Sequence, residues 1–325
     1  MYDITVVVLN GSFGSGVAAT LDLLNAARVM APRVGVPAPR WRICSANGGA
    51  VRLQSGMLID TVKLPSRSTN DRSIWVVPGI GVNNRREVHG FEARAEVQQV
   101  VAALQKHIGK GGRIAAACSA VFLLQFAGLL NGRNVTTAWW LAPILQQMNP
   151  ACAVESANML CVDENIVTAG AAFAQKDLMM HVIKTLCGPA LVDLLSRYLL
   201  VDERETQAPY VLPEALANGN ELVSRFVAHV ENSLPEMPSV TAIANEFCMT
   251  ERTLARQVKK STGQSPLALM QTIRMRRARG LLEQSKMSVD DIAAAVGYRD
   301  ATALRRMMRK VTGNTPRQYR RSSSV

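Results

Sequence analysis

The sequence predicts an α/β domain built on a mostly parallel sheet, followed by a smaller all-α domain. Three observations carry this expectation. Residues 1–195 alternate short apolar, β-branched runs with stretches of helical periodicity, the pattern of a parallel sheet covered by helices on both faces. From residue 221 onward every segment has helical periodicity. The basic excess is confined to one end: residues 1–250 carry 20 Lys and Arg against 20 Asp and Glu, whereas residues 251–325 carry 17 against 5. The whole net charge of +12 therefore sits in the last quarter of the 325-residue chain. A basic excess localised in this way points to a polyanionic partner.

The expected elements follow in order. Residues 3–10 form a buried strand ending at glycines, and residues 17–30 a helix. Residues 41–46 and 53–62 are extended, and residues 73–81 form a second buried strand. Helical periodicity over 91–110 stops at Gly111-Gly112, as helices commonly do. Residues 113–119 form a third apolar strand leading into a helix over 120–127. Residues 135–137 are a short strand, residues 159–170 a hairpin, and residues 170–187 and 189–200 are helices. The expected domains are 1–200 and 221–325, joined by a linker over 201–220 that holds acids, Pro209, Pro213 and Gly219 and few core signals.

Several function classes are set aside. The six cysteines are scattered, without a Cys-x-x-Cys pair, and the four histidines do not cluster with them; neither a metal site nor a disulfide framework is expected. Scattered cysteines read as reduced, hence a cytoplasmic protein. Asp3 stands where a secretion signal needs positive charge. The longest apolar stretch, residues 114–130, is interrupted by Ser119, Gln125 and Gly128 and falls short of the ~20 residues that cross a membrane. Gly11, Gly14 and Gly16 follow the first strand, but their spacing is not that of a dinucleotide loop; no cofactor is expected, and the loop is read as bordering a pocket.

The last hundred residues contain a repeat. SVTAIANEFCMTERTLARQVKKSTGQSP (residues 239–266) returns as SVDDIAAAVGYRDATALRRMMRKVTGNTP (residues 288–316). The offset is 49 up to the turn and 50 after it, so one residue is inserted there. Ala244 matches Ala293, Leu254 matches Leu304, Gly263 matches Gly313 and Pro266 matches Pro316. Each copy reads as a short apolar helix, a tight turn and a second helix suited to the major groove of double-stranded DNA. The recognition helices are expected over 251–261 and 300–312. Exposed DNA-contact candidates are Arg252, Thr253, Ala255, Arg256 and Lys259 in the first, and Ala301, Thr302, Arg305, Arg306 and Arg309 in the second. Arg can bond both guanine O6 and N7, while Ala and Thr can touch the thymine methyl. Arg274, Arg276, Arg277 and Arg279, on the helix between the copies, are assigned to phosphates or acids. The bland alternative is a solvated basic face. The segments ERTLARQVKKSTGQSP and IAAAVGYRDATALRRMMRKVTGNTPRQYR resemble the AraC/XylS family of bacterial transcription regulators. Val258 and Met308 depart from the phenylalanine expected in that family.

In AAACSAVFLL, Cys118 lies between a buried strand and a helix, the setting of a nucleophile elbow. The helix dipole and free N–H groups there are expected to lower the thiol pKa. Together with AGLLNGRNVTTAWW (127–140) and TAGAAFAQKDLMMHVI (168–183), this elbow resembles the PfpI-like branch of the class I glutamine amidotransferase superfamily. That resemblance implies a flavodoxin-like parallel sheet sandwiched by helices, and a domain that senses a small metabolite and helps form a homodimer. Enzymes of the superfamily often have His where this chain has Ala138, and an acid near Gly16, for which Asp22 is a possible stand-in. A thiol without a base lacks the proton acceptor that nucleophilic catalysis requires. The expectation is therefore a ligand pocket rather than an enzyme, lined by Cys118, Ser119, Gly79, Ile80, Ala138, Trp139 and Asn10. The alternative is a cysteine hydrolase or amidase carrying a DNA-binding tail. Trp139 and Trp140 fit an aromatic ligand wall and core packing equally.

Overall fold

The protein was analysed as a computed structural model, which describes residues 2–65, 71–202, 204–216, 220–312 and 315–322. Gly219 of the expected linker, Gly313 of the repeat and the last three residues lie outside the described residues. The chain divides into two units, Met1–Glu205 and Thr206–Val325.

In the first unit the elements are β1 (Ile4–Val7), α1 (Gly14–Met30), β2 (Trp41–Ser45), β3 (Gly49–Arg52), β4 (Leu58–Lys63) and β5 (Ile74–Val77). There follow α2 (Arg85–Glu92), α3 (Ala95–Ile108), β6 (Arg113–Ala117), α4 (Val121–Phe126), β7 (Asn134–Val135) and α5 (Ala142–Met148). The unit ends with β8 (Ala153–Val154), β9 (Leu160–Asp163), β10 (Ile166–Ala169), α6 (Ala174–Cys187) and α7 (Pro189–Leu199). Eight strands form one sheet in the order β3-β4-β2-β1-β5-β6-β10-β9. The six from β4 to β10 are parallel, and β3 and β9 close the two edges antiparallel. All four residues of β1 and of β5 are buried, as a strand covered on both faces requires.

The connections β1–α1–β2 and β5–α3–β6 progress in opposite directions across the sheet. Right-handed crossovers then place α1 and α3 on opposite faces and make the junction of β1 and β5 the topological switch point, where such sheets bind ligands.

Local differences from the sequence reading have local causes. Of the extended stretch over 53–62, only residues from Leu58 on are strand, as β4; residues 53–57 form the turn from β3, in which Gly56 has φ 86°. The single helix over 91–110 is two helices broken at Ala93-Arg94, the first capped by the Asn84 side chain. The helix expected from residue 170 starts at Ala174, because β10 runs to Ala169. α5, with Pro143 in its first turn, escaped the reading.

One buried polar network crosses the sheet on the α3 side. Arg42 pairs with Asp71 at 2.5 Å and donates to Thr5 Oγ1 at 3.0 Å. Asp71 also accepts from Ser73 N and Trp75 Nε1. Burial alone would raise its carboxyl pKa, but those hydrogen bonds and Arg42 hold it below its usual value. Trp75 stacks on His107, with ring centroids 4.4 Å apart. Burial pushes His107 below its ordinary pKa, against its bond to the Arg113 carbonyl. Gly111 takes the left-handed φ of 78° that ends α3. Gly112 provides room: a Cβ there would lie 2.4 Å from His107 Nε2.

The second unit holds α8 (Pro213–Leu216), α9 (Glu221–Asn232), α10 (Val240–Glu246), α11 (Glu251–Thr262), α12 (Pro266–Gln284), α13 (Val289–Ala295), α14 (Ala301–Thr312) and α15 (Pro316–Ser322). Side chains cap its helix starts in series: Asn220, Ser239, Thr250, Ser265 and Ser288, then Asp300, which accepts from Ala303 N at 2.7 Å. Each such cap satisfies an N–H that the helix leaves open, a stabilisation of about 1 kcal/mol.

Residues 201–220 are not a free linker over their whole length. Arg204 pairs with the buried Asp177 at 2.6 Å in the first unit. In the second, Arg279 donates to the Pro209 carbonyl and lies over the Tyr210 ring, while Arg276 pairs with Glu214. Among the described residues, no helix is long and apolar enough to cross a membrane.

Candidate functional site

The first candidate lies at the carboxyl ends of the parallel strands. Cys118 follows β6 directly, with φ 56°. An L-residue in that region costs about 1–2 kcal/mol, so the surroundings must enforce it. Three features do so. Ser119 Oγ accepts from Ile80 N at 2.9 Å and donates to the Ile80 carbonyl. Thr137 Oγ1 donates to the Cys118 carbonyl at 2.7 Å. Gly79 leaves room, since a Cβ there would sit 3.0 Å from Cys118 Cβ. The loop after β1 is tied in as well: Phe13 N donates to the Gly79 carbonyl and Gly81 N to the Gly11 carbonyl.

Cys118, Ser119, Gly79 and Ile80 are thus brought together. Ala138 is fully buried immediately after Thr137. Trp139 is buried and packs edge-on against Trp140, centroids 5.1 Å apart, which favours the core-packing alternative. Asn10 departs from the expected lining. Its side chain accepts from Arg52 N and lies against Glu96. Asp22 is exposed on the outside of α1 and cannot stand in for a buried acid.

The expected lowering of the Cys118 thiol is overturned. Burial pushes it up to about 11, outweighing the hydrogen bonds from Ser119. Sequence reasoning also missed Thr137 and Gln175, although both lie in the quoted stretches. Gln175 is 1% exposed and donates to Thr20 Oγ1 at 2.8 Å. Its Oε1 has no hydrogen-bond partner among the described residues. A Cβ at Gly16 would lie 3.8 Å from both Gln175 Cγ and Pro78 Cβ, so Gln175 and Pro78 both border the start of α1 at Gly16. Among the described residues, no group of His, Cys, Asp and Glu could hold a metal ion, and all six cysteines are free.

The second candidate is the repeat. Leu254 and Val258 on α11, and Leu304 and Met308 on α14, are fully buried, so both departures from phenylalanine are core positions. Ile243, Ala244, Ile292 and Ala293 are fully buried beside them. Arg252, Arg256 and Lys259 are exposed on α11, and Thr302, Arg305, Arg306 and Arg309 on α14; Thr253 and Ala255 are half-buried. Ala301 is a correction: it is 4% exposed. Ala301, Leu304 and Met308 follow the three-then-four spacing of one helix face, and that face is the inner one.

Of the four arginines assigned to phosphates or acids, Arg276 and Arg279 meet acids and Arg274 meets backbone carbonyls. Arg274 Nε donates to the Val296 carbonyl at 2.8 Å, and its guanidinium lies 3.7 Å over the Tyr298 ring. Arg276 pairs with Glu214 and Glu231, and Arg279 with Glu283; Arg277 is exposed. In the first copy, Arg225 of α9 lies 4.8 Å over the Phe247 ring, which His229 also meets edge-on. Residues 225 and 274 are 49 apart, the offset of the repeat itself. The repeated unit is therefore three helices, α9–α10–α11 and α12–α13–α14, each with an arginine of its first helix braced on the turn.

The two turns differ at matched positions. Gly297 has φ 75°, and the equivalent Cys248 has φ 55°. A Cβ at Gly297 would meet the Pro235 carbonyl oxygen at 2.3 Å, so glycine there answers both backbone and space.

A DJ-1/PfpI family model matches residues 51–185, and a helix-turn-helix domain model matches residues 243–322. The HTH-type transcriptional regulator GbdR of Pseudomonas aeruginosa is 25% identical over 289 residues, covering 88% of this chain and 76% of that protein. The HTH-type transcriptional regulator GlxA of Rhizobium meliloti is 26% identical over 311 residues, covering 94% and 91%. Among solved structures, a ThiJ/PfpI family protein from Pseudomonas syringae aligns with TM-score 0.51 at 15% identity, over 70% of this chain and 87% of that one. Drosophila melanogaster DJ-1beta aligns with TM-score 0.50 at 19% identity, over 62% and 100%.

Relieving the left-handed cysteine with Cys248→Gly is expected to raise the stability of the helical unit by about 1 kcal/mol. Gly297→Ala should lower it by more than about 2 kcal/mol. Denaturant melts of the full chain by far-UV circular dichroism check both; equal effects at the two turns would contradict the asymmetry.

Proposed function

From the premise that the chain joins a DJ-1/PfpI-type domain to an AraC-type helix-turn-helix domain and is a DNA-binding transcription regulator, we propose how its two units divide the work. The second unit reads promoter DNA through α11 and α14. The observation that carries this is the matched pair of helices, each burying one apolar face and presenting arginines on the other. Arg252, Arg256, Arg305, Arg306 and Arg309 are the base- and phosphate-contacting candidates, with Lys259 on phosphate and Thr302 at the start of α14.

The first unit is a sensor that holds a small effector at the elbow without covalent chemistry. Two observations support this. Gln175 Oε1 is a buried acceptor without a hydrogen-bond partner among the described residues, the kind of group that a ligand or water satisfies. Among the described residues no charged group offsets the burial that pushes the Cys118 thiol up to about 11; only hydrogen bonds with Ser119 oppose it. The protein works as a cytoplasmic homodimer, a reading supported by the apolar surface of Tyr198, Leu199 and Leu200, the last 91% exposed. An effector changes DNA binding only through unequal affinity for two states of that dimer.

Three outcomes are expected. Arg306→Ala weakens binding to the specific site by about 1–3 kcal/mol and relaxes one base position; equal losses on specific and scrambled duplexes would move Arg306 to phosphate. A thermal-shift screen of the full chain against amino acids, quaternary amines, polyamines and cyclic nucleotides gives a hit that Gln175→Leu abolishes; a hit that survives in this variant places the effector elsewhere. Iodoacetamide modifies Cys118 far more slowly than the exposed Cys248 at pH 7–9, by about a hundredfold or more; a fast Cys118 would revive the hydrolase reading.

A further inference from the structure

A cavity lies away from the elbow, between the ends of β2 and β4, the start of β5 and the outer side of α3. It encloses about 330 Å³, within the range of small-molecule sites. Its floor is apolar and buried: Ala46, Leu64 and Trp75 are each 6% exposed or less, and Ala103 of α3 lines its wall. Its rim is cationic, with Lys63, Arg72, Lys106 and Lys110. Lys63, Arg72 and Lys106 make no ion pair among the described residues.

The acid and the imidazole in the lining do not cancel that charge. Asp71 is taken up by Arg42 at 2.5 Å and by hydrogen bonds from Ser73 and Trp75. His107 is buried against the Trp75 ring, with Nε2 on the Arg113 carbonyl. A largely apolar floor is thus ringed by positive groups. Surface cations in isolation would be ordinary. Three without an ion pair, lining one cavity that has an apolar floor, select a molecule with a negative end and an apolar body. A cation would face only repulsion at the rim, because the single carboxylate is already paired.

We propose that this cavity is a second small-molecule site, distinct from the elbow, and that it takes an organic carboxylate whose apolar body rests on Leu64, Ala103 and the Trp75 edge. Lys63, Arg72 and Lys106 hold the carboxylate by charge-assisted contacts at the solvent end. The site does not depend on the effector reading of the elbow, since none of its residues touches Cys118 or Gln175 in the contacts described above.

The test is calorimetric titration of the full chain with phenylacetate, hexanoate and indole-3-acetate, each matched by its amine: phenethylamine, hexylamine and tryptamine. At least one carboxylate should bind with 1:1 stoichiometry and its amine at least about tenfold more weakly. The Lys63→Glu/Lys106→Glu variant, which alters only exposed positions, should weaken that carboxylate by about tenfold or more. Ala103→Trp, which fills the cavity, should abolish binding with an unchanged circular dichroism spectrum. Gln175→Leu, at the elbow, should leave it unchanged. Absence of binding by all three acids overturns the proposal. So does equal binding of acid and amine, or retention in the charge-reversed variant. Loss of binding in Gln175→Leu but not in Ala103→Trp assigns the carboxylate to the elbow instead.

Discussion

The left-handed backbone at Cys118 is the constraint on which the first unit turns. A parallel sheet directs six strand ends to one edge, and each must leave it by a turn. At β6 the turn is made by an L-residue at φ 56°, which is stable only while its neighbours hold it. Those neighbours come from different strand ends: Ile80 after β5, Thr137 after β7, and Phe13 through Gly79 after β1. One strained residue therefore fixes the relative positions of several loops. The same stitching holds the elbow together, and burial there pushes the Cys118 thiol up.

The second unit solves its problem by duplication. Each copy sets a short helix and a recognition helix at an angle around a small residue, Ala244 or Ala293. A tight turn between two short helices has little stability of its own. Here the turn of each copy is braced by an arginine from the preceding helix, Arg225 on the Phe247 ring and Arg274 on the Tyr298 ring. Arg274 also binds the Val296 carbonyl, one of the groups that a helix end leaves open. The basic character of this segment thus has two sources. Part of it braces and joins the helices, and part is exposed on α11 and α14.

Much of this was legible in the sequence. Apolar β-branched runs between helical stretches gave the parallel sheet, because strands buried on both faces cannot alternate. The repeat gave the two helix-turn-helix units; its copies begin at Ser239 and Ser288, which the structure shows capping α10 and α13. The residues around Cys118 were also legible, since Gly79, Ile80 and Ser119 lie at strand ends. What escaped depended on contacts between distant segments. Asn10 turns to Arg52 and Glu96, 42 and 86 residues away. The dipole at the elbow suggested a lowered thiol pKa, and only the depth of burial reverses the sign. Arg276 and Arg279, assigned to phosphates or acids, do meet acids: Glu214, Glu231 and Glu283. Ala301 was the avoidable error: its spacing to Leu304 and Met308 already placed it on the inner face.

The central claim is that two matched helices of one chain read DNA together. Selection of bound duplexes from a random pool by the full chain, followed by sequencing, tests it most directly. The account predicts two short enriched boxes per chain, spaced by about one helical turn of some 10 base pairs, so that α11 and α14 enter successive major grooves on one face. Enrichment of a single box, or none above the starting pool, would contradict it.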